Sequence, residues 1–113
     1  MTTVDTLVGS GQTLTVTAAA LTGTNSLIWN GSAETDGSFN ITGSTQADTI
    51  TGGNADDTIT SGAGDDTISS GNDADTIILG LNLTSADTLD GGAGLDELRF
   101  TASGASTSDL DGV

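Results

Sequence analysis

Four aspartates, Asp48, Asp57, Asp66 and Asp75, stand nine residues apart, and each is followed by Thr and then Ile. The units read GSTQADTIT (43–51), GGNADDTIT (52–60), SGAGDDTIS (61–69) and SGNDADTII (70–78). Asp87 and Asp96 continue the phase after a three-residue insertion within 79–90, and the last unit reads GGAGLDELR (91–99). A fixed period of this kind is the signature of a repeat architecture. In each unit the first six residues are mostly Gly, Ser, Asn, Asp and Ala, which is turn chemistry. The last three place an apolar residue, Ile in four units and Leu in the last, after a polar one and, except where Ile78 follows, before another, a short strand of period two. Two units therefore make one coil of about 18 residues with a strand on each side. Stacked coils give two short parallel sheets. Ile50 is expected beside Ile68 in one, Ile59 beside Ile77 in the other, with the two Ile rows facing across a thin core.

The repeated Asp lies two residues before each Ile and so on the same, inward side of the backbone. Coils stack about 4.8 Å apart. Asp48 then sits close to Asp66, and Asp57 close to Asp75. Carboxylates at that spacing repel, and one of each pair loses its charge unless something compensates. The chain carries 16 acidic residues, no Lys or His and one Arg, Arg99, for a net charge of −15. The compensating charge must come from solution. With no Cys or His, the donors are carboxylate and carbonyl oxygens, which suit hard cations. A cage of protein carbonyls in flexible Gly-rich loops favours Ca²⁺ over Mg²⁺, which demands a tight octahedron and keeps its waters.

The same composition excludes other functions. One cation cannot track a nucleic-acid backbone or an anionic membrane surface. Zinc, copper and haem lack their usual ligands, and neither thiol chemistry nor a Ser-His-Asp triad can be built. No apolar run is long enough to span a bilayer, and no Sec-type signal peptide is visible. With three aromatic residues, Trp29, Phe39 and Phe100, the core is lean. Burial of roughly 65% of the unfolded surface brings little large apolar area with it, so a second source of folding energy is expected.

The nonapeptides resemble the RTX repeats of secreted bacterial proteins, G-G-x-G-x-D-x-U-x with U a large apolar residue. The resemblance covers residues 43–99, and SGAGDDTIS and GGAGLDELR match best. It implies an all-β, right-handed parallel β-roll with Ca²⁺ held between loops of alternate repeats. It also implies export by a type I pathway, without an N-terminal signal peptide. The carboxylate ligands it implies are Asp48, Asp57, Asp66, Asp75, Asp87 and Asp96. The implied carbonyl ligands lie in the loops and include Gly53, Gly62, Gly64, Gly71, Gly92 and Gly94. Two to four Ca²⁺ ions are expected. Gln46, Ala55 and Asp73 stand where the family has its third glycine, so those loops are expected to bind more weakly or to distort. The 79–87 stretch lacks the glycines, and its insertion is expected to bulge outward. Asp56 and Asp65 are read as solvent-facing, and Glu34, Asp36, Asp90 and Glu97 as surface or turn residues.

Residues 1–42 are expected to form irregular β coils that cap the roll. Strands are predicted at 13–17, 27–29 and 38–42, with an apolar plug of Leu14, Val16, Leu27, Trp29 and Phe39. A separate small β unit is the alternative. Phe39 and Ile41 fall nine residues before Asp48 and Ile50, so the register runs backward with Phe in place of Asp. Residues 100–113 show no clear element and read as a truncated continuation. The function expected is that of a Ca²⁺-binding structural module, not an enzyme, that folds on binding within a larger secreted or cell-surface protein (adhesin, surface-layer protein, toxin or exoenzyme). The alternative is an ice- or lattice-binding solenoid using the outward pairs Thr49/Thr51 and Thr58/Thr60. Besides calcium, the partners expected are neighbouring repeats or a second copy stacked on an open end. Nucleic acid and membrane insertion are not expected.

Overall fold

The computed structural model describes residues 1–79 and 83–100. Among the described residues nine strands follow in order: β1 (Thr13–Thr17), β2 (Ile28–Asn30), β3 (Ser38–Thr42), β4 (Thr49–Thr51), β5 (Thr58–Thr60), β6 (Thr67–Ser69), β7 (Thr76–Leu79), β8 (Thr88–Asp90) and β9 (Glu97–Phe100). They alternate between two sheets, one ordered β1-β3-β5-β7-β9 and the other β2-β4-β6-β8. Every pairing is parallel. The chain is thus an all-β solenoid of about four turns.

The three-residue strands of the nonapeptides fall where the pattern predicts them, because one inward Ile flanked by Thr or Ser is all that such a strand needs. Ile50 pairs with Ile68 and Ile59 with Ile77. Ile41, Ile50, Ile59 and Ile68 are all but inaccessible to solvent. The coil length differs in part from expectation. Asp48 and Asp66, like Asp57 and Asp75, are one coil apart at 18 residues. Asp66 and Asp87, and Asp75 and Asp96, are one coil apart at 21. The mean is about 21 residues per turn. The longer step absorbs the insertion without a shift of phase, so Leu89 still meets Ile68 and Leu98 still meets Ile77. The expected bulge falls partly on residues 80–82, outside the described residues. Beyond it, Leu83 turns back into the core.

The earlier coils belong to the same two sheets. β1 and β3 lie where predicted, and β2 begins one residue later than predicted, at Ile28. Ile41 pairs with Ile59 and Trp29 with Ile50, so the repeat register does run backward. Trp29 and Phe39 are buried and meet edge to face, ring centroids 5.2 Å apart. Leu14, Val16 and Leu27 pack against them while remaining partly exposed. Residues 1–3 lie alongside β2, where the Thr3 N–H donates to the Asn30 carbonyl at 2.8 Å. Residues 101–113, read as a truncated continuation, lie outside the described residues.

Candidate metal centre

The turns between strands run along the two edges of the roll. One edge carries 31–37, 52–57, 70–75 and 91–96, and the other 43–48, 61–66 and 83–87. The sixth residue of each nonapeptide precedes its strand and points inward, as alternation requires. Asp48, Asp57, Asp66, Asp75 and Asp87 are all buried, whereas Asp96, in the last described coil, is exposed.

Each of these carboxylates reaches one coil back. The Oδ1 atom of Asp66 accepts the N–H of Asp48 at 2.9 Å, and that of Asp87 accepts the N–H of Asp66 at 2.7 Å. On the other edge Asp75 accepts from Asp57 at 2.7 Å, and Asp96 from Asp75 at 3.0 Å. The columns end on apolar residues: Asp48 accepts from the N–H of Leu27, and Asp57 from that of Phe39. The second oxygen is held within its own turn for Asp48, Asp57 and Asp87, by the N–H groups of Ser44, Gly53 and Thr84. The Oδ2 atom of Asp75 is buried without a partner. Part of the compensation that the stacked charges need is therefore supplied by the backbone.

It is not enough. Burial pushes the Asp57 and Asp66 carboxyls up to about 6 from an ordinary 3.8, against the lowering effect of their backbone donors. Asp75 raises Asp57 further, and Asp48 and Asp87 raise Asp66. Asp75 is raised as well, first by burial and then by Asp96 and Asp56. Loss of solvation thus outweighs the hydrogen bonds at all three sites.

The Gly positions expected to offer carbonyls line the same turns. Gly53, Gly71 and Gly92 form one column: the Asn72 N–H donates to the Gly53 carbonyl at 3.1 Å and the Ala93 N–H to the Gly71 carbonyl at 3.0 Å. Gly62 and Gly64 frame turn 61–66 with φ of 100° and 114°. A Cβ on Gly64 would lie 2.5 Å from the Gln46 carbonyl carbon of the turn below. That close backbone approach, with the left-handed φ, is why glycine stands there. Gly94 takes the same place in turn 91–96 with φ of 148°. Of the three non-glycines at this place, Asp73 adopts the left-handed conformation, φ 67°, whereas Gln46 and Ala55 do not. Turn 70–75 therefore keeps the glycine-type backbone, and turns 43–48 and 52–57 depart from it.

Among the described residues no three acidic side chains converge on one point. Carboxylates alone make no site here, and a bound cation would draw its remaining ligands from carbonyls. Three features fit such a cation: an all-oxygen donor set, a buried unpartnered Oδ2 on Asp75, and carboxylates that burial leaves poorly compensated. Asp56 and Asp65 are exposed, as expected. They also stitch turns together: Asp56 accepts from the Ala74 N–H at 3.0 Å, and Asp65 from the Thr84 hydroxyl at 3.3 Å.

Two features escaped the sequence reading. Serines beside the columns look like ordinary turn residues, yet the Ser44 hydroxyl donates to Asp48 Oδ1 at 2.7 Å, Ser61 supports Asp66, and the Ser70 hydroxyl donates to the Gly91 carbonyl of the next coil at 2.9 Å. The signal was their place at the start of a nonapeptide or beside it. Glu34, expected at the surface, is fully buried, and its Oε2 accepts the Val8 N–H at 3.0 Å. Residues 1–12 and the turn at 52–57 both pack on the turn at 31–37 to create that environment, so no local pattern announces it.

These turns, strands and inward carboxylates define a β-roll built from acidic nonapeptides. A scan against family models matches the RTX calcium-binding nonapeptide repeat in four copies, over residues 41–80 and 83–99, together half of the chain. The chain belongs to this family, whose repeats form structural, non-catalytic calcium-binding modules typical of secreted bacterial proteins. Searches of curated proteins and of solved structures give no match.

Proposed function

We propose that this chain is a structural module that completes its folding by binding Ca²⁺, within a larger secreted or cell-surface bacterial protein. The observation that carries this reading is the pair of columns of one-coil-apart carboxylates, in which burial outweighs the backbone donors at Asp57, Asp66 and Asp75. The ions, two to four of them, are assigned to the turns. Asp48 with Asp66 and Asp57 with Asp75 supply carboxylates to the first sites, and Asp66 with Asp87 and Asp75 with Asp96 to the later ones. Carbonyls of turns containing Gly53, Gly62, Gly64, Gly71, Gly92 and Gly94 complete the shells. Bound Ca²⁺ supplies positive charge where the net charge of −15 supplies none, and its binding free energy becomes folding free energy. Low cytoplasmic calcium keeps such a chain loose for export. Extracellular calcium, matched by affinities on the order of 10⁻⁴–10⁻³ M, closes the roll.

Equilibrium dialysis with ⁴⁵Ca²⁺ and isothermal titration test this reading. Two or more ions per chain, displaced by EDTA and not by equimolar Mg²⁺, are expected. No binding at millimolar Ca²⁺ overturns it.

The outward Thr rows support the lattice-binding alternative less well. Thr49, Thr67 and Thr88 do align across three coils. The neighbouring row, however, runs Thr51, Ser69, Asp90, and on the other sheet Thr42 and Thr60 give way to Ile78 and Arg99. An ice-recrystallisation assay decides it.

A further inference from the structure

β1 is the outermost strand of its sheet and, among the described residues, pairs with β3 alone. The Gln12 carbonyl and the Ala18 N–H face β3, where they meet the Ser38 N–H and the Thr42 carbonyl. By alternation, the N–H and carbonyl groups of Thr13, Thr15 and Thr17 face the free edge. Natural sheets blunt such an edge with a charge, a proline, a bulge or a very short strand. β1 has none of these. It is five residues long, TLTVT, and its pairing with β3 runs unbroken from Thr13 to Thr17. Leu14 and Val16 point inward yet stay partly exposed, while their partners Phe39 and Ile41 are buried.

Charge and sequence identify what fits this edge. No charged residue falls between Asp5 and Glu34, in a chain of net charge −15, and Glu34 itself is buried. The last described coil, by contrast, exposes Asp90, Asp96 and Glu97. Two copies of this chain therefore approach with least repulsion through their first coils. A twofold contact also needs a self-complementary surface, and Thr-Leu-Thr-Val-Thr alternates in the same way from either end. An antiparallel pair centred on Thr15 sets Thr13 opposite Thr17 of the second copy, and Leu14 opposite its Val16, apolar against apolar on the inward face. The three residues that face the edge then all stand at hydrogen-bonded positions.

We infer that the free edge of β1 docks on β1 of a second copy, antiparallel about a twofold axis at Thr15, so that two five-stranded sheets become one. The contact removes the open edge, covers Leu14 and Val16, and closes at the dimer.

Sedimentation equilibrium of the full chain in millimolar CaCl₂ tests the inference. A monomer–dimer equilibrium is expected. A monomer at every concentration up to about 1 mM overturns the proposal, and so does a series of oligomers beyond the dimer, which a head-to-tail contact would produce. Thr15 is exposed, and its substitution tests the register. Thr15→Lys and Thr15→Asp each set like charges directly opposite one another, so each variant alone should be monomeric. Their equimolar mixture should dimerise again. Thr67→Lys, at an exposed position on the other sheet, should dimerise like the parent. Circular dichroism checks that each variant keeps the parent's fold. A parent dimer that survives both Thr15 substitutions, or a mixture that fails to recover it, overturns the pairing.

Discussion

Asp66 accepts the backbone N–H of Asp48 through Oδ1 at 2.9 Å, across one full coil of 18 residues. One side chain thus ties two coils together and brings its charge next to an equivalent charge below. The bond and the repulsion have the same cause, the nine-residue period, and they can be separated by substitution.

Asp66→Asn keeps an acceptor for the Asp48 N–H and removes the charge. The metal-free chain should become more resistant to thermal unfolding, because burial no longer acts on a carboxylate. Calcium affinity should fall by about tenfold or more, the low end of what loss of a supporting group costs a metal site. Asp66→Ala should lose both, since it also strands the Asp48 N–H. Circular dichroism melts in EDTA and calcium titrations check this.

Acidity should act on the metal-free roll in the direction opposite to ordinary acid unfolding. Asp57 and Asp66 are raised from 3.8 to about 6, so folding favours their neutral forms. Their stabilising contribution is complete below about 3.8 and is lost as pH rises through about 6. In EDTA the thermal midpoint should therefore rise as pH is lowered from 7.5 to 5. Over the same window protons compete with calcium, so calcium affinity should fall. A midpoint that falls on acidification in EDTA contradicts the burial of these carboxylates.

Gly64→Ala should destabilise the calcium-loaded chain by more than the roughly 1–2 kcal/mol of left-handed backbone alone, because its Cβ would also press on the Gln46 carbonyl carbon. Gly23→Ala is the control, with φ of 73° and nothing within 4 Å of the added Cβ. Its cost should stay within that backbone term. Chemical denaturation of both variants gives the comparison.

Glu34→Ala should cost about 1–3 kcal/mol, the penalty for stranding the buried Val8 N–H. Glu34→Gln retains an acceptor and should lose less. Calcium stoichiometry should not change in either variant. Thermal unfolding with parallel titrations distinguishes this structural role from a part in the metal centre.

The central coils were legible in the sequence because two residues per unit decide them. Ile at the eighth place fixes the inward face of the strand, and Asp at the sixth fixes the inward edge of the turn. The backward register from Ile59 to Ile41 was legible for the same reason. The 21-residue coils were not, since an insertion keeps the phase of Asp87 and Leu89 while hiding the length of the turn that carries it. Sequence also showed the carboxylates as neighbours without showing their backbone donors. Those N–H groups belong to the coil below, and their direction follows from stacking rather than from any residue type. Glu34 is the extreme case: an acidic residue in a turn reads as exposed until residues 1–12 are seen to cover it.

The central claim is that calcium completes the folding of this roll. Far-UV circular dichroism of EDTA-stripped protein during a CaCl₂ titration, with MgCl₂ as the control, tests it most directly. A cooperative gain of β structure with Ca²⁺ alone, reversed by EDTA, is the predicted result. A β spectrum of full amplitude that ignores both Ca²⁺ and EDTA would contradict it and leave the Ile rows and the N-terminal coils to hold the roll unaided.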